Sequence, residues 1–117
     1  METIIAEIAQ DVYVVLGPGH SEIVYCRAIG IGLQRRGIVY ETEKTMPVTY
    51  MDSQVGTCRL DLVIGGLVVE LKCVSAMTNM HKTQLRRYLN LLGLLRGMLV
   101  NFGPNGLDMV YVEKECV

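Results

Sequence analysis

Tryptophan is absent from the 117-residue chain, and phenylalanine occurs once. That leaves little aromatic surface for the base-stacking platforms that grip single strands. Neither sign of charge dominates. Eleven Lys and Arg stand against 12 Asp and Glu, for a formal net charge of −1. A strongly basic nucleic-acid binder is excluded, although a local basic patch is not. No run of apolar residues reaches the ~18 needed to span a membrane, and no secretory pattern opens the sequence. The expectation is a soluble, intracellular protein, cytoplasmic or nuclear, with no membrane association. Only three prolines occur, and no Pro/Ser-rich linker, repeat or low-complexity tract divides the chain. Residues 1–117 therefore read as a single domain. The four cysteines, Cys26, Cys58, Cys73 and Cys116, form no CxxC pair. Their spacing fits neither a zinc knuckle, an iron–sulfur run nor a compact disulfide framework, and points to reduced thiols.

What remains is a globular composition, half hydrophobic and one fifth charged, long enough to bury a core without staples. Ile4, Ile5, Ile8, Val12, Val15 and Leu16 have helical spacing, and Gly17-Pro18-Gly19 ends that helix. Ser21 can cap a second helix running to about residue 36, with Gly37 as its stop and Ile23, Val24, Ala28, Ile31 and Leu33 on its apolar stripe. Strand-like patterns cover residues 38–50, 56–64 and 67–74. Thr78 or Asn79 can cap a third helix to about residue 95, with Leu85, Leu89, Leu92 and Leu95 on its apolar side. Strands at 98–102 and 107–113 follow, around the turn Gly103-Pro104-Asn105-Gly106. The order ααβββαββ predicts an α/β fold, a mixed sheet flanked by helices.

The hairpin turning at Gly65-Gly66 carries the functional argument. A two-residue turn pairs Ile64 with Leu67, Val63 with Val68, Leu62 with Val69 and Asp61 with Glu70. One face then reads Leu60, Leu62, Ile64, Leu67, Val69 and Leu71, an apolar set expected in the core. The other carries Arg59, Asp61, Glu70 and Lys72. Two opposed carboxylates, with Cβ atoms about 5 Å apart, repel. A divalent cation between them removes that penalty. Carboxylate oxygens are the hard ligands that Mg²⁺ or Mn²⁺ prefers. Lys72, on the same face as Glu70, can orient a water or stabilise charge developing on a phosphate. Arg59 and Lys72 neutralising the acids on a solvated sheet face is the alternative reading of the same pattern.

Asp61 followed after eight residues by Glu70-Leu71-Lys72 resembles the PD-(D/E)XK nuclease signature. Gly19-His20-Ser21-Glu22-Ile23-Val24-Tyr25 is similar to the motif of the GxxExxY family within that superfamily. The similarity continues through Gln84, Tyr88 and Leu99-Val100-Asn101-Phe102-Gly103, and so covers nearly the whole chain. Leu60 stands where the signature has Pro, a departure that the superfamily tolerates. The resemblance implies a restriction-endonuclease-like fold and a metal-dependent DNA nuclease, with RNA left open as a substrate and a homodimer as a possible assembly. Asp61 and Glu70 would hold Mg²⁺ or Mn²⁺, the Leu71 carbonyl would be a third ligand, and Glu22 would complete the set. Lys72 would be the catalytic lysine. Gln84 and Tyr88, one helical turn apart, match a QxxxY pair that borders the active site in RecB-type and lambda-exonuclease-type members. His81, Lys82, Arg86 and Arg87 on that helix, with Arg27, Arg35 and Arg36 on the earlier one, could contact phosphates. A solvated helical face accounts for these cations equally well. A domain that keeps the fold and binds nucleic acid without cleaving is the alternative function, and the near-neutral charge favours it modestly.

Overall fold

The computed structural model describes residues 1–114, so Cys116 lies outside the described residues. The elements follow the expected order: α1 (Glu2–Leu16), α2 (Glu22–Arg35), β1 (Glu41–Tyr50), β2 (Ser53–Ile64), β3 (Leu67–Lys72), α3 (Asn79–Leu92), β4 (Arg96–Phe102) and β5 (Leu107–Glu113). They build one five-stranded mixed sheet in the spatial order β1-β2-β3-β4-β5. Among the described residues only the β3–β4 pair is parallel, because α3 carries the chain back over the sheet between these two strands. The fold is restriction-endonuclease-like. Among the described residues no helix is long and apolar enough to cross a membrane.

The sheet is covered on both faces. On one, α1 and α2 bury Ile5, Ile8, Val12, Tyr25, Ile29 and Leu33 against Leu62, Val69, Leu71, Met98 and Val100. On the other, α3 sets Leu85 and Leu89 on Val68, Leu99 and Val112. Gly97 makes this second layer possible. A Cβ there would stand 2.9 Å from Leu85 Cδ2, so the absence of a side chain lets α3 approach β4.

Several local expectations give way. The α2 stripe is Tyr25, Cys26, Ile29, Gly30 and Leu33, whereas Val24 and Ile31 are exposed. The spacing of Tyr25, Ile29 and Leu33 is as helical as the expected set, and the sheet selects that face. Val15 and Leu16 at the end of α1 are also exposed. In α3 Gly93, in the left-handed conformation, caps the helix, so Leu95 falls beyond it and is exposed. The β3 strand stops at Lys72, two residues early. There Asn101 takes over as the backbone's partner. Its amide accepts from Val74 N–H and donates to Val74 O, each at 2.9 Å.

The most consequential difference lies in the hairpin. Gly65 has φ 61° and the turn is tight, and the ladder runs Ile64↔Leu67, Val63↔Val68, Leu62↔Val69 as expected. It stops there, so Asp61 and Glu70 do not form the next rung. Leu60 is buried, but together with Cys58 in the layer under α3, not in the layer that holds Leu62 and Ile64. The two-residue alternation of faces is broken at Asp61.

Candidate active site

Side chain to backbone bonds replace the missing rung. The Leu71 N–H donates to Asp61 Oδ2 at 2.8 Å, and the Asp61 N–H donates to Glu70 Oε1 at 3.2 Å. Each carboxylate thus binds the other strand's backbone with one oxygen. Leu71 is at the site through its N–H, and the side chain of Leu71 is core.

Residues from four elements line a cleft of about 220 Å³ above this bend: Glu22 from α2, Arg59 and Asp61 from β2, Glu70 and Lys72 from β3, and Gln84 and Tyr88 from α3. All six side chains expected from the sequence to do chemistry meet there. Arg59, read from the sequence only as a counter-charge, is the seventh. The sequence placed it on the face of Asp61, Glu70 and Lys72 but gave it no part in the chemistry. Gln84 Nε2 donates to Tyr88 Oη at 3.0 Å, so the pair one turn apart orients itself.

Burial raises the Glu70 carboxyl from its ordinary 4.5 to about 8, and the charge of Asp61 adds to the effect, while Lys72 opposes it. In the absence of a cation the two acids therefore share poorly. This is the condition that a divalent ion relieves, and the remaining oxygens of Asp61 and Glu70 are hard donors of the kind Mg²⁺ and Mn²⁺ take alongside water and phosphate. The donor chemistry fits such an ion. Glu22 differs from expectation. Among the described residues no three His, Cys, Asp or Glu side chains stand close enough to hold a metal together. Glu22, exposed in the first turn of α2, borders the cleft instead of closing a three-carboxylate set.

The loop before α2 is built by the motif around it. Tyr25 is fully buried, stacks on Phe102 with centroids 4.1 Å apart and planes 2° from parallel, and donates through its hydroxyl to Gly17 O at 2.6 Å. The His20 N–H donates to the same hydroxyl at 3.2 Å. Tyr25 is therefore packing, and its hydroxyl ties the first turn of α2 to the loop at Gly17 and His20. His81 is partly a helix cap: its Nδ1 accepts from the Thr78 N–H at 3.1 Å. With Thr78, Gln84 and Arg87 it also lines a groove beside the cleft. Arg86 and Arg87 border a further groove with Thr83 and Asn90, and Lys82 is half-buried on α3. Arg27 is exposed on α2 and lines none of these grooves, and Arg36 pairs with Glu7 at 3.0 Å. Cys26, Cys58 and Cys73 are free thiols. Burial, reinforced by Asp61, pushes Cys26 up to about 11, so it stays a thiol.

A two-faced mixed sheet with an acidic pair and a lysine at its central bend defines a nuclease fold. The chain belongs to the PD-(D/E)XK nuclease superfamily, whose family model matches residues 1–112. Members are typically nucleases that use divalent metals, which supports a phosphodiesterase-type enzyme with a nucleic-acid substrate. Among solved structures, the crystal structure of SSO0001 is similar, with a TM-score of 0.63 and 20% identity over 80% of this chain and 50% of that one. The chain thus spans about half the length of that protein, and the likeness is one of fold. No curated protein matches the chain.

Proposed function

We propose that the protein is a Mg²⁺- or Mn²⁺-dependent DNA nuclease of the GxxExxY type, with residues 1–117 forming a single minimal catalytic domain. The observation that carries this reading is the meeting of Asp61, Glu70, Lys72, Glu22, Gln84 and Tyr88 in one cleft. Asp61 and Glu70 would hold the ion, with the Leu71 carbonyl at hand on the same strand. When bound, the ion supplies the Lewis acidity that in-line hydrolysis of a phosphodiester needs. Lys72 joins no ion pair among the described residues. Its ammonium is therefore available to orient the attacking water and to stabilise charge on the phosphate. Gln84 and Tyr88 form the far wall and position the substrate. The grooves bordered by His81, Arg86 and Arg87 continue from that wall along α3 and suit flanking phosphates. A homodimer would present two such clefts to one duplex, an arrangement suited to repair or recombination intermediates.

The test is incubation with Mn²⁺ and linear, circular, single-stranded and branched DNA, with RNA as a further arm. Cutting abolished by Glu70→Ala and by Lys72→Ala is the expected result, and product sizes separate endo- from exonuclease action. Activity that survives both substitutions refutes the assignment. The second reading, a domain that binds without cutting, draws on the net charge of −1. It predicts no Mn²⁺ binding at millimolar concentration by calorimetry.

A further inference from the structure

The cleft holds three carboxylates, Glu22, Asp61 and Glu70, against two cations, Arg59 and Lys72. A divalent ion would bring the cleft to one net positive charge, and Arg59 is what makes that sum positive. A cleft that must attract a phosphodiester anion needs this excess. Arg59 stands in an unusual setting. Its guanidinium gives one N–H to Glu43 Oε1 at 3.1 Å, with both side chains about half exposed. The register, Thr42↔Leu62 and Lys44↔Leu60, places Glu43 opposite Asp61, yet that rung is missing. Glu43 instead adopts φ 51°, in the left-handed region. Such a conformation costs a non-glycine residue about 1–3 kcal/mol. An exposed ion pair returns about 0–1 kcal/mol. The arrangement is therefore not explained by stability. It removes a further carboxylate from the rung of Asp61 and turns it to Arg59.

We infer that Arg59 is a phosphate-binding residue of the cleft, held at its mouth by Glu43, and that it grips a nucleic-acid backbone phosphate beside the one at Asp61 and Glu70. The inference rests on the nuclease reading above. A guanidinium suits the task, because its planar fork presents paired N–H groups to two phosphate oxygens, and only one N–H is engaged by Glu43. Glu43 is a positioning residue, acting through Arg59.

The test uses the best-cut DNA of the panel. Arg59→Ala raises KM about ten- to a hundredfold, the range of a lost charge-assisted hydrogen bond, with kcat nearly unchanged. It also lowers the salt slope of binding by about one. Binding is read by anisotropy in a Lys72→Ala background, where no cutting interferes. Arg59→Lys restores the slope and only part of the affinity. In that background Glu43→Gln weakens binding when Arg59 is present and adds nothing to Arg59→Ala. The melting temperature moves by about 4 °C at most. A wild-type KM and salt slope in Arg59→Ala, with Glu70→Ala inactive, overturn this inference and leave the nuclease reading in place. Additive effects of the two substitutions overturn the role of Glu43. A wild-type protein that neither binds nor cuts DNA with Mn²⁺ overturns both readings together.

Discussion

In metal-free buffer, Glu70→Gln is expected to make the protein more stable than the wild type at pH 8 to 9. The Glu70 carboxyl is raised from 4.5 to about 8 by burial and by Asp61. Below pH 4.5 the folded and unfolded chains both hold this proton, and its contribution to stability is fully present. Between about 4.5 and 8 the folded chain holds a proton that the unfolded chain has released. Stability then falls as pH rises, by up to ~1.4 kcal/mol per unit, and the contribution is lost above about 8. Glutamine has the same shape and stays neutral throughout. The assay is urea unfolding of both proteins in EDTA from pH 5 to 9, with the difference between them read at each pH. That difference should shift steadily towards the variant from pH 5 to about 8 and level off above it. Mn²⁺ should reverse the order, because the ion must displace the proton: its apparent affinity for the wild type rises up to tenfold per pH unit below about 8, and Glu70→Gln binds it poorly. Parallel stability curves for the two proteins would refute the reasoning.

Three further outcomes follow from packing. Asn101 is 3% exposed and satisfies both polar groups of Val74, so Asn101→Leu leaves them unpaired. It should cost about 2–4 kcal/mol by denaturant titration and weaken activity through the chain just beyond Lys72. Tyr25→Phe keeps the stack on Phe102 but removes the bonds to Gly17 O and from His20 N–H. The expected loss is about 1–3 kcal/mol, with a fall in kcat through the altered entry of Glu22. Gly97→Ala forces a Cβ to 2.9 Å from Leu85 and should cost about 1–3 kcal/mol in thermal unfolding; unchanged stability would show that α3 can retreat without penalty.

Element order and the acidic pair were legible in the sequence because both rest on short-range patterns. Gly65-Gly66 determines the turn, and the turn determines the pairing of Leu62 with Val69. The break at Asp61 was not legible. It arises when a carboxylate takes a backbone N–H that the ladder would use, a competition between side chain and strand that no hydropathy period encodes. The buried face of α2 was misread for a different reason. Tyr25 and Cys26 weigh less than Val24 and Ile31 in a hydropathy pattern, and only the sheet decides between two helical stripes of similar quality. The pairing of Arg59 with Glu43 escaped because it accompanies the left-handed backbone of Glu43.

The bend at Asp61 passes β2 from one layer of the core to the other. On β2, Cys58 and Leu60 before it pack beneath α3, whereas Leu62 and Ile64 after it pack beneath α1 and α2. The reactive groups therefore come into register only once both covers have closed on the sheet. A chain opened locally by heat or urea would lose this alignment, and with it the cleft of the proposed site. Under the proposed nuclease function, completion of folding would itself be the safety catch.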